Sequence, residues 1–171
     1  MRDRPYFPEN ELPPPQWLPE DEFKAATKAL PLVSLDLCIV NSHNELLLGK
    51  RVNEPAQGWW FTPGGCIRKH EPWQQALARI AKQEVGCDQG LLAEAKLMGI
   101  YDHFYPTSAY SAEVTTHYVN LPHSLHLNAE QLQLPDDDQH IAWQWLDLKQ
   151  ATVASDVHHY VQTYAHLLVQ R

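Results

Sequence analysis

The chain has 171 residues, with 13 basic and 21 acidic side chains and a formal net charge of −8. This length suits one domain with a sizeable core, and a content of 44% hydrophobic residues excludes a disordered chain. We expect no binding to nucleic acid, which requires a basic surface, and no membrane span, because no apolar run reaches about 20 residues. Any phosphate must therefore be held by a few placed arginines and a metal.

The chain contains three cysteines, Cys38, Cys66 and Cys87. An odd set without CxxC spacing indicates neither a disulfide framework nor a zinc site, and it favours a reducing compartment. The N-terminus carries arginines but no apolar stretch behind them, so we expect no secretory signal and a cytoplasmic protein. The histidine pairs His158–His159 and His123/His126 lack a complete ligand set, which favours packing or surface positions over metal binding.

Six of the 13 prolines lie in the first nineteen residues. This composition excludes a helix or a central strand and predicts an extended arm, ordered only if something packs on Tyr6 or Trp17. A short helix is predicted from about Pro19 to Leu30, because acidic residues suit a helix N-terminus. The sequence therefore predicts a proline-rich arm over residues 1–19 and one domain over residues 20–171.

The middle of the chain alternates predicted strands and helices. Leu32–Val40 is a mostly apolar strand, and a polar turn joins it to a second strand, Glu45–Arg51, which predicts a hairpin. A short aromatic strand is predicted at Trp59–Phe61. Apolar residues then recur at helical spacing from Pro72 to Val85, and Gly86 suits the position just past a helix end.

The second half of the domain gives weaker patterns. Two or three strands are predicted within 91–105 and 112–121, followed by a long polar loop over roughly 122–140. Ala142–Leu146 alternates like a strand. A final helix is predicted from Ser155 or Asp156 to about residue 169. The whole pattern indicates the α+β class, with one mixed sheet and helices on its faces.

One loop and the helix after it carry the most specific pattern. Gly65 is followed after five residues by Glu71 and then after seven by Arg79, with Glu84 and Gly86 beyond. This spacing resembles the Nudix box, which implies an α/β/α sandwich with a mixed β-sheet and flanking helices. Glycine lets a backbone carbonyl approach a metal closely, and the helix presents carboxylates on one face.

The box departs from its pattern at two of three late glutamates. The positions 80, 83 and 84 lie on one helical face, and here they hold Ile80, Gln83 and Glu84. One carboxylate therefore remains. A decayed box on an inactive domain is one interpretation, and a changed reaction is the other.

Longer runs favour the changed reaction. PLVSLDLCIVNS, LLLGKRVNEPAQGWWFTPGG, DHFY, TTHYV and LPDDDQH resemble the GDP-mannose mannosyl hydrolases, a divergent family of Nudix enzymes, over about residues 20–165. That family also lacks the two glutamates. The resemblance implies homodimers that hydrolyse a small-molecule nucleotide sugar, GDP-mannose or GDP-glucose, to GDP and free sugar. Water attacks the anomeric carbon with inversion.

The resemblance also implies a metal site and a general base. Mg²⁺, with Mn²⁺ able to replace it, is expected on the Gly64 carbonyl, Glu84 and Gln139. His140 is expected to take the proton of the attacking water. A histidine titrates near ~6.5, which suits a base at neutral pH. Without the resemblance, His140 would be read only as part of a solvated acidic loop.

The remaining implied residues bind the substrate. Arg51 and Arg79 are expected to neutralise the departing diphosphate, although Arg79 has the structural alternative of pairing with Glu71 or Gln83. Asp36 and Tyr118 are expected at the sugar and the diphosphate, and Asp36 has the alternative of a structural acid. Phe23 is expected against the guanine. His103 is a further candidate for substrate contact.

One position breaks the match. The related enzymes have an arginine directly after the glycine pair, and here that position is Cys66. We expect Arg68, two residues on, to face the same side if the segment is extended. Two other functions remain open: cleavage of the diphosphate itself by a Nudix pyrophosphohydrolase, and silent binding of a nucleotide sugar.

Overall fold

The structure, a computed structural model, describes residues 12–135 and 140–170. Within these ranges it contains eight strands and four α-helices in one mixed sheet with helices on both faces. The predicted α/β/α arrangement is confirmed. None of the helices in this part of the chain is long and apolar enough to cross a bilayer. The helices and strands are α1 (Glu20–Ala29), β1 (Leu32–Val40), β2 (Glu45–Arg51), β3 (Trp60–Phe61), β4 (Gly64–Cys66), α2 (Trp73–Val85), β5 (Lys96–Leu97), β6 (Tyr101–Tyr105), β7 (Thr116–His126), β8 (His140–Asp147), α3 (Leu148–Ala151) and α4 (His159–Val169).

Two apolar layers cover the sheet. Side chains alternate along β1, so that Leu35 and Leu37 pack with α2 residues, including Ile80, in one cluster. Cys38 and Val40 face the opposite way and pack with α4 in a second cluster. The helix α2 ends at Gly86, whose φ of 63° lies in the left-handed region that glycine tolerates. The predicted bounds of α1, β1, β2 and α2 are confirmed to within a residue.

The strand β1 is shared among three neighbours. It runs parallel to β7 over its whole length, from Leu32 opposite Tyr118 to Val40 opposite His126. The predicted hairpin with β2 is reduced to one pair, Val40 with Leu46, because β4 pairs with the first half of β1. Beyond that pair β2 diverges from β1 and runs antiparallel to β8 instead.

Two sequence predictions in the second half are wrong, and one helix was missed. The loop predicted from residue 122 is a strand as far as His126, because parallel pairing with β1 buries the polar side chains of His123 and Ser124. A short helix, Leu148–Ala151, was not predicted. The final helix begins at His159, because residues 155 and 156 form a turn and backbone hydrogen bonds join Asp156 and His158 to Trp60.

Gly49 on β2 is required by its neighbour on β8. A Cβ atom at Gly49 would overlap the ring of His140, which is buried and lies 4.4 Å from the ring of Trp143 between ring centroids. We therefore predict that Gly49→Ala lowers the free energy of unfolding by about 1–3 kcal/mol, the usual cost of overpacking. Urea denaturation measures the change.

Gly90→Ala is the matched control for this prediction. A Cβ atom at Gly90 meets nothing within 4 Å, so its replacement is expected to change stability little. Equal stabilities for the two variants would contradict the packing of His140 on Gly49.

Candidate active site

Two cavities meet at β4. A smaller one of about 180 Å³ and a larger one of about 560 Å³ share Gly64, Gly65 and Cys66 in their walls. A side chain at Gly64 would overlap the Asp36 carboxylate and the Leu35 carbonyl, so glycine is required where β4 lies against β1. This short strand is therefore the wall between the two cavities.

The smaller cavity brings together four residues that the sequence analysis singled out. Asp36, Arg51, His103 and Tyr118 all line it, although they lie on four different strands. The Nε atom of Arg51 is buried and has no hydrogen-bond partner among the residues that the structure describes. A buried, unpaired guanidinium donor is suited to an anionic ligand.

A buried hydrogen-bond network lies behind the smaller cavity. The hydroxyl of Tyr164 on α4 lies 3.0 Å from Asp36 Oδ2, 2.9 Å from His103 Nε2 and 3.2 Å from Asn120 Oδ1. Asn120 in turn donates through Nδ2 to Ser34 Oγ at 2.8 Å. Tyr164 therefore links the helix α4 to three of the strands around this cavity.

His103 is neutral in this network. Burial lowers the pKa of His103 to about 3, so its ring carries no charge at physiological pH. One ring nitrogen is then a donor and the other an acceptor, and Nε2 lies 2.9 Å from the Tyr164 hydroxyl. The position of the ring proton depends on Asp36, because a protonated Asp36 can itself donate to the Tyr164 hydroxyl.

Burial also disfavours the ionised forms of other groups in this cavity. It raises the pKa of Asp36 to about 7, against the opposing effect of hydrogen bonds from Asn120 and Tyr164. Burial raises the pKa of the Cys66 thiol to about 12 and that of Tyr118 above its ordinary value. Cys66 is therefore a protonated thiol and not an ionised nucleophile.

The larger cavity has a different character. Phe23 lines it, with its ring 5.5 Å from that of Tyr110, and Trp17 lines it from the described end of the proline-rich segment. Arg68 and Glu84 also line it, from the segment after β4 and from α2. Aromatic rings and a cation in one cavity suit a planar base next to a phosphate.

The two altered box positions have other contacts. Ile80 is 1% exposed and packs in the core, close under Gly65. Gln83 accepts a hydrogen bond from Arg79 Nη1 at 3.1 Å. Only Glu84, of the three positions, presents a carboxylate toward the larger cavity.

Arg79 is held by a carboxylate and a carbonyl. Its Nε and Nη2 atoms donate to Glu71 at 2.6 and 2.8 Å, and Nη2 also donates to the Cys66 carbonyl at 2.9 Å. Burial alone would raise the pKa of Glu71, but hydrogen bonds from Arg79 and from the Arg68 amide lower it below its ordinary value. The structural pairing of Arg79 with Glu71 thus exists, and Arg79 also lines the larger cavity.

The predicted metal ligands fit a hard cation. Gly64 and Glu84 line the same cavity and offer a carbonyl and a carboxylate oxygen, the donor atoms that Mg²⁺ prefers. Gln139 lies outside the described residues. Within residues 12–135 and 140–170, no three His, Cys, Asp or Glu side chains form a cluster that could hold a metal ion.

His140 opens strand β8, opposite Arg51 on β2. It is 4% exposed and is not among the residues that line either cavity. The structure therefore brings together Asp36, Arg51, His103 and Tyr118 around the smaller cavity but does not place His140 in its wall. Its assignment as the base stays a prediction.

Several residues of the site escaped the sequence analysis. Tyr164 has the spacing of a core residue on α4. Asn120 lies in a strand with several polar residues, so its polarity alone did not indicate a functional role. The inward positions of β1 offered a signal, since Ser34 and Asp36 are polar residues two apart in an apolar strand. The same alternation on β7 places Tyr118 and Asn120 on one face.

Comparison with known proteins assigns the family. The family model described as NUDIX domain matches residues 30–167. The low-salt glycan biosynthesis protein Agl8 of Haloferax volcanii is 39% identical over 123 residues, which cover 72% of this chain and 75% of that protein. The chain belongs to the NUDIX family of hydrolases.

Solved structures agree with this assignment. The MutT NUDIX hydrolase from Burkholderia pseudomallei matches with a TM-score of 0.65 at 25% identity, over 80% of this chain and 97% of that one. The NUDIX domain of Shewanella oneidensis NrtR, whose structure is a complex with ADP ribose, matches with a TM-score of 0.63 at 16% identity, over 90% and 99%. The second likeness shows the fold alone.

The Glu71–Arg79 pair yields a test of stability. Glu71 has a side chain only 3% exposed, so Glu71→Gln leaves Arg79 without its carboxylate and is expected to cost about 3 kcal/mol at pH 7. The folded-state pKa lies below the ordinary value of 4.5, so this stabilisation is present above that pH and is lost as pH falls through the folded pKa. Urea denaturation across this range measures the difference.

An exposed pair serves as the control. Lys82 and Asp88 are 2.9 Å apart with both side chains more than half exposed, so Asp88→Asn is expected to change stability little. A pH-independent difference for Glu71→Gln, or one no larger than that of the control, would contradict a stabilising role for the Glu71 pair.

Proposed function

We propose that this protein hydrolyses GDP-mannose, with GDP-glucose as a second substrate, to GDP and free sugar by inverting attack of water at the anomeric carbon. The observation that carries this proposal is the pair of cavities that meet at Gly64–Cys66. A nucleotide sugar has a planar base, a diphosphate and a sugar in line. The aromatic cavity suits the base, the polar cavity suits the sugar, and the shared wall lies where the diphosphate would be.

The smaller cavity has the groups that a sugar requires. The neutral ring of His103 lines this cavity, and Asp36 and Asn120 are held by Tyr164. A site built from buried, fixed polar groups rejects a ligand that leaves them unpaired. This cavity therefore supports recognition of sugar hydroxyls.

The diphosphate would lie between arginines. Arg51 lines the smaller cavity, and Arg68 lines the larger one. Both have a buried Nε atom without a hydrogen-bond partner among the described residues. Guanidinium groups on both sides of the leaving group would neutralise the charge that develops as the bond from the anomeric carbon to oxygen breaks.

The metal would be held by the Gly64 carbonyl, Glu84 and Gln139. A bound Mg²⁺ would supply further charge neutralisation to the diphosphate. With that charge neutralised, GDP leaves without a proton donor, so the paired carboxylates of ordinary glycosidases are not needed. The remaining requirement is one base for water, which we assign to His140.

One comparison is relevant to the substrate class. Agl8 is named as a low-salt glycan biosynthesis protein, and the choice of a nucleotide sugar as the substrate of this chain is our own. Homodimeric assembly, a cytoplasmic location and a domain boundary at residue 19 belong to the same proposal. The described part of the arm contacts the segment after β4, where the Gln16 amide donates to the Lys69 carbonyl and Trp17 lies against Arg68.

Turnover of GDP-mannose with Mg²⁺ in ¹⁸O-labelled water is the main test. Attack at carbon places the label in free mannose, which mass spectrometry detects, and the first-formed sugar has the opposite anomeric configuration by NMR. Label in GMP or in mannose 1-phosphate would instead show attack at phosphorus. Binding of GDP-mannose without any product would identify a silent binding domain.

A pair of variants controls this experiment. Glu84→Gln removes the single box carboxylate and is expected to abolish most turnover. Glu94→Gln changes an exposed residue outside both cavities and is expected to turn over at the wild-type rate. Equal rates for the two variants would contradict a metal site at Glu84.

His140→Gln tests the base. Loss of a general base is expected to lower kcat by about 10²- to 10⁴-fold while GDP binding stays near that of the wild type. His123→Gln is the control, because His123 is also buried and packs on Trp73, away from both cavities. Thermal melting of both variants separates lost catalysis from lost folding, and near-full activity of a folded His140→Gln protein contradicts the assignment.

A further inference from the structure

The described end of the arm forms one wall of the larger cavity. Trp17 is 72% exposed, and its indole lies against the guanidinium of Arg68, with Cζ 4.6 Å from the ring centroid. The backbone amide of Gln16 donates to the Lys69 carbonyl at 3.0 Å. A side-chain contact and a backbone contact thus hold the arm against the segment that follows β4.

The backbone of Arg68 is held by a hydrogen bond, but the Nε donor of its guanidinium has no acceptor among the described residues. Its backbone amide donates to Glu71 Oε2 at 2.9 Å, which fixes the base of the side chain. The guanidinium makes no ion pair within residues 12–135 and 140–170, because the nearby Glu71 carboxylate is paired with Arg79. Its Nε atom is buried without an acceptor in the same ranges.

This arrangement suits a phosphate oxygen. A planar guanidinium that stacks on an indole keeps its edge available for hydrogen bonds, and its orientation is set before the ligand arrives. Pre-orientation reduces the side-chain entropy that binding would otherwise cost. Arg68 also shares its cavity with Gly64 and Cys66, the wall where the diphosphate is expected.

We propose that Trp17 is a positioning residue that holds Arg68 as a binding group for the diphosphate of a nucleoside diphosphate. The arm is then part of the ligand site. The same pairing, which we call the clamp, supplies a cation near position 66, where this chain has cysteine. The proposal rests on the proposed function only for the choice of a nucleotide ligand, since the clamp acts on the diphosphate and not on the sugar.

Binding measured by calorimetry tests the clamp without turnover. Trp17→Ala is expected to weaken GDP binding about three- to fivefold, the size of one exposed cation–π contact. Arg68→Gln is expected to weaken it by about ten- to a hundredfold, the size of a charge-assisted hydrogen bond. The double variant is expected to bind no more weakly than Arg68→Gln, because the indole acts through Arg68.

Further ligands and variants separate an effect on the diphosphate from an effect on the base. Guanosine lacks phosphate, so its affinity is expected to be the same for wild type and Trp17→Ala. Trp17→Phe keeps an aromatic face and is expected to recover most of the GDP affinity. Trp73 is a half-exposed tryptophan that lines neither cavity, so Trp73→Ala is expected to leave GDP binding unchanged.

Three results would overturn the clamp. One is additive losses in the double variant, and another is an equal loss for guanosine and GDP, which would place Trp17 on the base. The third is unchanged GDP binding in Trp17→Ala. Coupling that appears with ADP but not with GDP would keep the clamp and overturn only the guanine preference of the proposed function.

Discussion

The close approach of β4 to β1 is the constraint on which the site depends. The backbone of Gly64 lies against the Asp36 carboxylate and the Leu35 carbonyl, where no side chain fits. Because β4 takes the first half of β1, β2 keeps only the pair at Val40 and diverges toward β8. That divergence leaves the smaller cavity, with Asp36 on one strand and Arg51 on the other.

The distribution of charge follows from this geometry and not from the net charge of −8. Glu71 is buried and fully engaged with Arg79, so this pair contributes structure around the loop and little net field. Arg51 and Arg68 have no such partner among the described residues and lie in different cavities. An acidic surface and a locally cationic site therefore coexist, because Coulomb interactions in a partly buried cavity depend on near neighbours.

Sequence periodicity predicted the elements whose formation is local. The helix over Trp73–Val85 follows from apolar spacing and from Gly86, and β1 follows from an apolar run. Periodicity did not predict strands whose formation depends on pairing with a strand distant in the sequence. His123 and Ser124 are polar and read as loop, but β1 draws them into a central strand.

The same division holds for the site. Asp36, His103 and Tyr118 were found through motif resemblance, and the structure brings them to one cavity. Tyr164 was missed because an aromatic residue on the buried face of a helix has the same pattern whether it fills a core or orients a network. Only its hydroxyl, 3.0 Å from Asp36 Oδ2, separates the two cases.

The two residues that replace glutamates of the Nudix box, Ile80 and Gln83, both make structural contacts in this protein. At position 80 the side chain belongs to the core beneath Gly65, where an ionised glutamate would be costly to bury. At position 83 an amide accepts from Arg79 and adds no negative charge to the larger cavity. Under the proposed function, the single carboxylate at Glu84 would leave the field around the leaving group more positive. Such a field would favour departure of a diphosphate from carbon, whereas several carboxylates on one metal suit activation of water for attack at phosphorus.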